Sequence, residues 1–287
     1  MRPSARMVVL NRQRYALDLI PVVATSACSL RRLSRSWTGA AIRVRRSSDN
    51  AEIDIGFIGE GLDVVTLLAF VGTGDGLVVI WYDQVNNRHA TQATPANQPR
   101  IVSAGVIETE NGKPTIVSSG NQWLVSGNAA DWTRSTVSGT NNAVLFRRTG
   151  TALGGAIGLG KTGAYAYLEL ASQNNGFRVN TRSTPSLDSS PAGNFTSLSV
   201  VTTIATPTSL NLRVNGTSRA SVSGPTMTPN TPTSGLVLFD RAPINNSGEN
   251  FAGAISEVII FKDTDVSVAN AAILERNQDA YYGIIIL

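Results

Sequence analysis

Three Asn-Gly pairs, Asn111-Gly112, Asn175-Gly176 and Asn215-Gly216, sit between short stretches of apolar and β-branched residues. A two-residue hairpin turn needs positive φ at both central positions, which Asn and Gly tolerate and most residues resist. Each pair therefore predicts two neighbouring antiparallel strands. From residue 100 onward strands are expected at 114–118, 143–147, 164–170, 176–181, 197–204, 209–214 and 235–239. The proline-bearing stretches 183–194 and 223–234 read as loops. Short strands at such spacing point to a β-sandwich rather than a βαβ sheet.

Composition agrees with this class. Charged residues are 15% of the 287, against 42% hydrophobic, and there are 26 glycines. A helical bundle would need Glu, Lys and Leu at helical spacing. Sandwiches of roughly 200–250 residues are commonly single domains, so one core is expected. Ala40 to Arg45 alternates apolar and polar as a half-buried strand does. Leu62 to Val71 reads as a short helix, stopped by Gly72-Thr73-Gly74-Asp75-Gly76, and Leu77 to Trp81 as a buried strand. Near the end, Phe251 to Phe261 is a strand, and Val266 to Tyr282 a short C-terminal helix closed by Gly283. Inward side chains are expected from Ile42, Val44, Val79, Trp81, Leu212, Val214, Ile255 and Val258.

Charge is unevenly placed. Residues 1–46 hold ten arginines against one acid, Asp18, while the whole chain is only +4. Four of these, Arg2, Arg6, Arg12 and Arg14, fall in residues 1–14, which lack periodicity and read as a basic arm. The arm could dock on an acidic partner or on nucleic acid; equally, the arginines beyond it could pair with Asp49, Glu52 and Asp54 in the same domain. At the other end, Ile284, Ile285, Ile286 and Leu287 form an apolar tail, an aggregation hazard if left in water. Residues 15–283 are thus the expected domain, with both ends as assembly elements ordered on a neighbouring subunit.

Several chemistries are excluded. One cysteine, Cys28, allows neither an internal disulfide nor a Cys-rich zinc site, and one histidine, His89, allows no multi-histidine metal centre. No metal or cofactor is expected. The glycine run at 72–76 lacks the Lys-Ser/Thr of a phosphate loop, so it reads as a helix stop. No apolar stretch approaches the roughly 18–20 residues of a membrane span, and Arg12, Arg14 and Asp18 break up any signal-peptide core. Asp83 either binds sugar hydroxyls or holds a turn. Trp123 and Trp132 either stack on sugar rings or pack in the core.

Two stretches, Asn211-Leu212-Arg213-Val214-Asn215-Gly216 and Phe251-Ala252-Gly253-Ala254-Ile255-Ser256-Glu257-Val258, resemble the hallmark strands of laminin-G-like, concanavalin-type domains. The closing helix through Asn277 to Gly283 resembles that of phage and bacterial structural proteins. The segments Ser29 to Leu33, Thr38 to Asp49 and Trp81 to Asn87 resemble stretches found in many phage virion proteins. They are also similar to the catalytic domain of the arabinofuranosidase B family. Together the similarities cover most of residues 17–283. They imply an all-β, concanavalin/laminin-G-like two-sheet antiparallel sandwich, or jelly roll, with a short C-terminal helix.

That family's nucleophile is a Glu before two Asn. The matching position here is Gln173, before Asn174 and Asn175, and an amide cannot form a glycosyl ester. Glu169 lies on the same strand face four residues earlier, and Asp240 is the nearest match to the family's acid/base. The family also uses adjacent cysteines that this chain lacks. The expectation is therefore a non-hydrolytic structural protein of a bacteriophage virion: a head decoration, neck or tail/fibre component present in several copies. It would contact other virion proteins and, through its lectin-like sandwich, a host-surface glycan, with no membrane and no nucleic acid as partner. The alternative is an arabinofuranosidase-like glycoside hydrolase.

Overall fold

The computed structural model describes residues 15–133, 140–148, 154–161, 164–173, 176–180, 187–188, 197–223, 232–240 and 251–285. Arg2, Arg6, Arg12, Arg14 and Ile286 lie outside these residues. The described chain is mostly β, with one large antiparallel network of strands and two α-helices, Val64–Val71 and Val268–Tyr282.

The strand Ala252–Lys262 organises one block. One of its edges carries Thr140–Arg148, followed outward by Ser199–Thr206, Ser209–Val214 and Thr217–Ser223. The other edge is shared by two short strands, Ile116–Ser119 beside Ala252 to Ile255 and Ser26–Ser29 beside Glu257 to Ile260. The hairpin between Ser209–Val214 and Thr217–Ser223 turns on Asn215 and Gly216, with φ of 47° and 79°, as the Asn-Gly pair predicts.

The second block runs through Glu52–Ile55, Ile42–Arg46, Gly76–Trp81, Ala90–Thr91, Leu124–Ser126, Leu236–Leu238, Gly154–Lys161, Ala164–Gln173 and Gly176–Asn180. Arg100–Ser103 joins the blocks: it pairs with Gly76–Trp81 and, through Arg100 and Val117, with Ile116–Ser119. One hydrophobic cluster draws from both. Ile42, Val44, Trp81, Ile157 and Leu238 of the second block meet Val144, Phe146, Val201, Leu212 and Ile255 of the first. Burying each such side chain contributes about 1.5–3 kcal/mol before entropy is counted, so this shared interior holds the two blocks together.

The C-terminal helix begins at Ser267, whose hydroxyl accepts the Asn270 N–H, and ends at left-handed Gly283. Its buried Ala271 and Leu274 join Ile204, Ile259 and Phe261 in a second cluster. The first helix is capped by Asp63, which accepts from Thr66, and ends at Gly72 (φ 66°). The glycine run is thus a helix stop and turn.

Several expectations need correction. Val79 is only half-buried, while Val78 is sealed. Arg43 pairs with Ile80 and Val44 with Val78, so Val79 is the extra residue of a β-bulge that breaks the alternation. The other seven inward residues are buried. Ile284 does not wait for a neighbouring subunit; it is buried against Leu198, Val200 and Tyr282 of its own chain. Ile285 is 78% exposed. Beyond the arm, arginines serve the fold locally: Arg43 pairs with Asp54 directly across the strands at 2.8 Å, and Arg46 with Asp49 at 2.6 Å.

Candidate active site

The strand Ala164–Gln173 lies between two partners. On one side Gly158 faces Glu169 and Gly155 faces Ala171; on the other Asn180 faces Glu169 and Arg178 faces Ala171. Gly158 in turn faces Val237 of Leu236–Leu238. A cross-strand row therefore runs Val237, Gly158, Glu169, Asn180. The adjacent row, Leu238, Ile157, Leu170, Val179, has Leu238, Ile157 and Val179 in the core cluster. Successive residues of a strand alternate faces, so Glu169, Ala171 and Gln173 occupy the face away from the core. The side chains of Glu169 and Gln173 lie outside the described part of the structure.

Asp240 reaches the same face by a break in alternation. Leu238 and Phe239 are both in the core cluster, and Phe239 adopts φ of 65°. Its N–H still donates to Ala156 O at 2.9 Å, so it remains attached to Gly154–Lys161. Two consecutive inward residues shift the pattern by one place and return Asp240 to the face of Val237 and Glu169. Asp240 is 1% exposed. Its strand is separated from that of Glu169 by Gly154–Lys161 alone, two strand spacings of about 4.8 Å each.

The strand between the two carboxylate positions presents Gly155 and Gly158 on this face, both buried. Neither adds a side chain to this face, and both, like Val237 and Asp240, are shielded from solvent. Gly154–Lys161 is one of the strands that the sequence pattern does not reveal, because its glycines hide the alternation; Ile157 and Leu159, separated by Gly158, are the available signal.

Of the aromatic candidates, Trp123 is brought towards this region and Trp132 is not. Leu124 pairs with Leu238, so Trp123, immediately before it, falls at the end of the strand pair where Asp240 lies. Trp123 is half-buried. Trp132 is fully buried, its indole N–H donating to Ser126 O at 2.6 Å, so it offers no face to a sugar. Asp83 is equally sealed. Its carboxylate accepts backbone N–H groups from Ala27 (2.7 Å), Val85 (3.1 Å), Asn86 (3.1 Å) and Arg88 (2.9 Å). That occupies its lone pairs and makes it a turn organiser. Among the described residues no group of His, Cys, Asp or Glu is placed to hold a metal ion, and no helix is long and apolar enough to cross a membrane.

Comparison with solved structures bears on this geometry. An α-L-arabinofuranosidase of family GH54, soaked with 4-nitrophenyl α-L-arabinofuranoside, superposes with a TM-score of 0.66 over 88% of this chain, at 17% identity. An arabinofuranosidase complexed with arabinofuranosyl-α-1,2-xylobiose gives 0.64 at 16%. The chain shares their fold. It covers 62% of the length of each. A sialidase of Trypanosoma rangeli matches less fully, with a TM-score of 0.51 over 70% of this chain and 31% of its own, at 12% identity. No protein-family model matches the chain, and no curated protein does. These likenesses overturn the expectation of a virion structural protein. The three solved structures named above are glycosidases, and none of the three is a phage particle component.

Proposed function

We propose that this chain is a glycoside hydrolase acting on α-L-arabinofuranosides, with its two strand blocks as the layers of a concanavalin-like sandwich. The carrying observation is the placement of Glu169 and Asp240 on one sheet face, across a strand that is glycine at both intervening positions. A glycosidase needs two carboxyl groups flanking one glycosidic bond, with room between them for a sugar ring. In this reading Asp240 protonates the departing oxygen while Glu169, two strand spacings away, takes a proton from the water that attacks the anomeric carbon, the separation leaving room for that water. Trp123 would supply an aromatic face beside the bound ring.

A second reading rests on Gln173, which stands before Asn174 and Asn175 where the arabinofuranosidase family has its carboxylate. It is a furanoside-binding protein that holds sugars without cleaving them. The test is release of 4-nitrophenol from 4-nitrophenyl α-L-arabinofuranoside, with calorimetric binding of arabinan oligosaccharides in parallel. Turnover abolished by Glu169→Gln and by Asp240→Asn supports the hydrolase. Binding without turnover selects the second reading. Neither turnover nor binding would sink both.

A further inference from the structure

On the opposite block, where the end of the C-terminal helix meets Thr140–Arg148, a cavity of about 420 Å³ opens beside Arg147. Its size lies in the range of roughly 300–1,000 Å³ typical of small-ligand sites. Arg147 Nε donates to Glu110 Oε1 at 2.5 Å, and the Glu110 side chain is only 10% exposed. That bond fixes the plane of the guanidinium and leaves both terminal nitrogens without a hydrogen-bond partner among the described residues. End-on, two parallel N–H groups match a carboxylate. Among the residues lining the cavity Arg147 is the one cation and Glu110 the one carboxylate, so the attraction for an anion comes from the two terminal N–H groups that Glu110 leaves open.

The remaining walls are of mixed character. Ser197 is an exposed polar residue, and Asn215 spends its Oδ1 on the Val200 N–H while its amide nitrogen has no partner among the described residues. Leu198 and Ile285 supply apolar surface, Ile285 being 78% exposed. A guanidinium fork, polar groups beside it and an apolar wall together suit a sugar ring that carries a carboxylate. We infer that this cavity is a binding site for a uronic acid, separate from the Glu169 and Asp240 face. Because free glucuronate carries no glycosidic bond, the inference is independent of the hydrolase reading.

The test is titration of the full chain with sodium D-glucuronate, with D-glucose and inorganic phosphate as controls at matched ionic strength, followed by calorimetry or NMR shifts. Glucuronate should bind, and glucose and phosphate at least tenfold more weakly. Arg147→Gln should weaken glucuronate binding tenfold or more. Since that change leaves Glu110 without its partner, Ile285→Glu provides an independent arm: it sets a negative charge at an exposed wall position and should weaken binding similarly with the melting temperature unchanged. No glucuronate binding, equal binding of glucose or phosphate, or binding indifferent to Ile285→Glu would overturn the assignment.

Discussion

The Arg31 guanidinium meets the Glu257 carboxylate edge to edge, Nε to Oε2 at 2.8 Å and Nη2 to Oε1 at 3.2 Å, with both side chains fully buried. Ser29 Oγ and Gln278 Nε2 donate to the same carboxylate at 2.9 and 3.0 Å, and Glu60 takes Arg31 Nη1 at 3.1 Å. The Tyr281 ring lies 4.8 Å from the guanidinium carbon. Such a pair is costly to bury and more costly to break. Arg31→Met is expected to leave Glu257 an uncompensated buried charge and to lower stability by about 3–5 kcal/mol. Urea denaturation read by tryptophan fluorescence measures this, and a loss under 1 kcal/mol would contradict it.

Asp83→Asn separates the turn from the sugar-binding reading of that residue. An amide offers one acceptor oxygen to four backbone donors and turns its NH₂ towards some of them. A loss of about 1–3 kcal/mol for the unsatisfied donors is expected, with glycan affinity unchanged. A selective loss of glycan binding at unaltered stability would return Asp83 to the ligand.

Gly235 ties backbone packing to the candidate site. A Cβ there would lie 2.4 Å from Gly127 O and 2.5 Å from Ser126 O, both fixed backbone atoms. Gly235→Ala should therefore push Leu236–Leu238 away from Leu124–Ser126 and displace Asp240. Lower thermal stability together with reduced turnover is the expected outcome. Wild-type kinetics in a stable variant would detach Asp240 from the reaction.

Three of the six tyrosines, Tyr82, Tyr281 and the fully buried Tyr282, should ionise late. Burial, and next its hydrogen bond to Asp54, push Tyr82 up to about 12. Tyr281 is also pushed up to about 12, chiefly by burial, against the opposing charge of Arg31. A raised acid pKa favours the protonated folded state, so this contribution is complete below about pH 10. It fades as the pH rises from there towards 12. At low pH the sign reverses: Asp49, held down to about 2 first by its hydrogen bond from Arg46, stabilises above its unfolded value and ceases to as the pH falls towards 2. Absorbance at the tyrosinate band should show a late-titrating fraction that Tyr82→Phe reduces. An unchanged titration curve in that variant would refute the assignment.

Gln173→Glu completes the Glu-Asn-Asn sequence of the arabinofuranosidase family. If the native protein binds furanosides without cleaving them, this change should create turnover at least tenfold above background in the nitrophenyl assay. If Glu169 is the working carboxylate, a second one on the same strand face should instead leave turnover unchanged or lower it.

Much of the fold was legible where one face of an element is buried and the other wet. The strand 209–214 was read to the residue, and the C-terminal helix to within two residues at its start. Ser26–Ser29 was missed because all four residues are buried, and a strand without a polar face has no alternation to read. The bulge at Val79 was illegible for another reason: it is set by the register of Ile42–Arg46, more than thirty residues away. At the candidate site, Glu169 and Asp240 were visible as residue types. Their common face depends on the left-handed Phe239, which no local pattern announces.

The strand Ser26–Ser29 finds its partner in Glu257 to Ile260. Glu257 leaves the ribosome 228 residues after Ser29, so the early strand stays unpaired while the intervening chain is made. Closing so long a loop is slow and follows, rather than starts, the local hairpins. Refolding should therefore be limited by this late closure, leaving Ala27 and Cys28 exposed to other chains in the interval. A chaperone that shields apolar segments near the N-terminus should raise the refolding yield more than one acting on the hairpins.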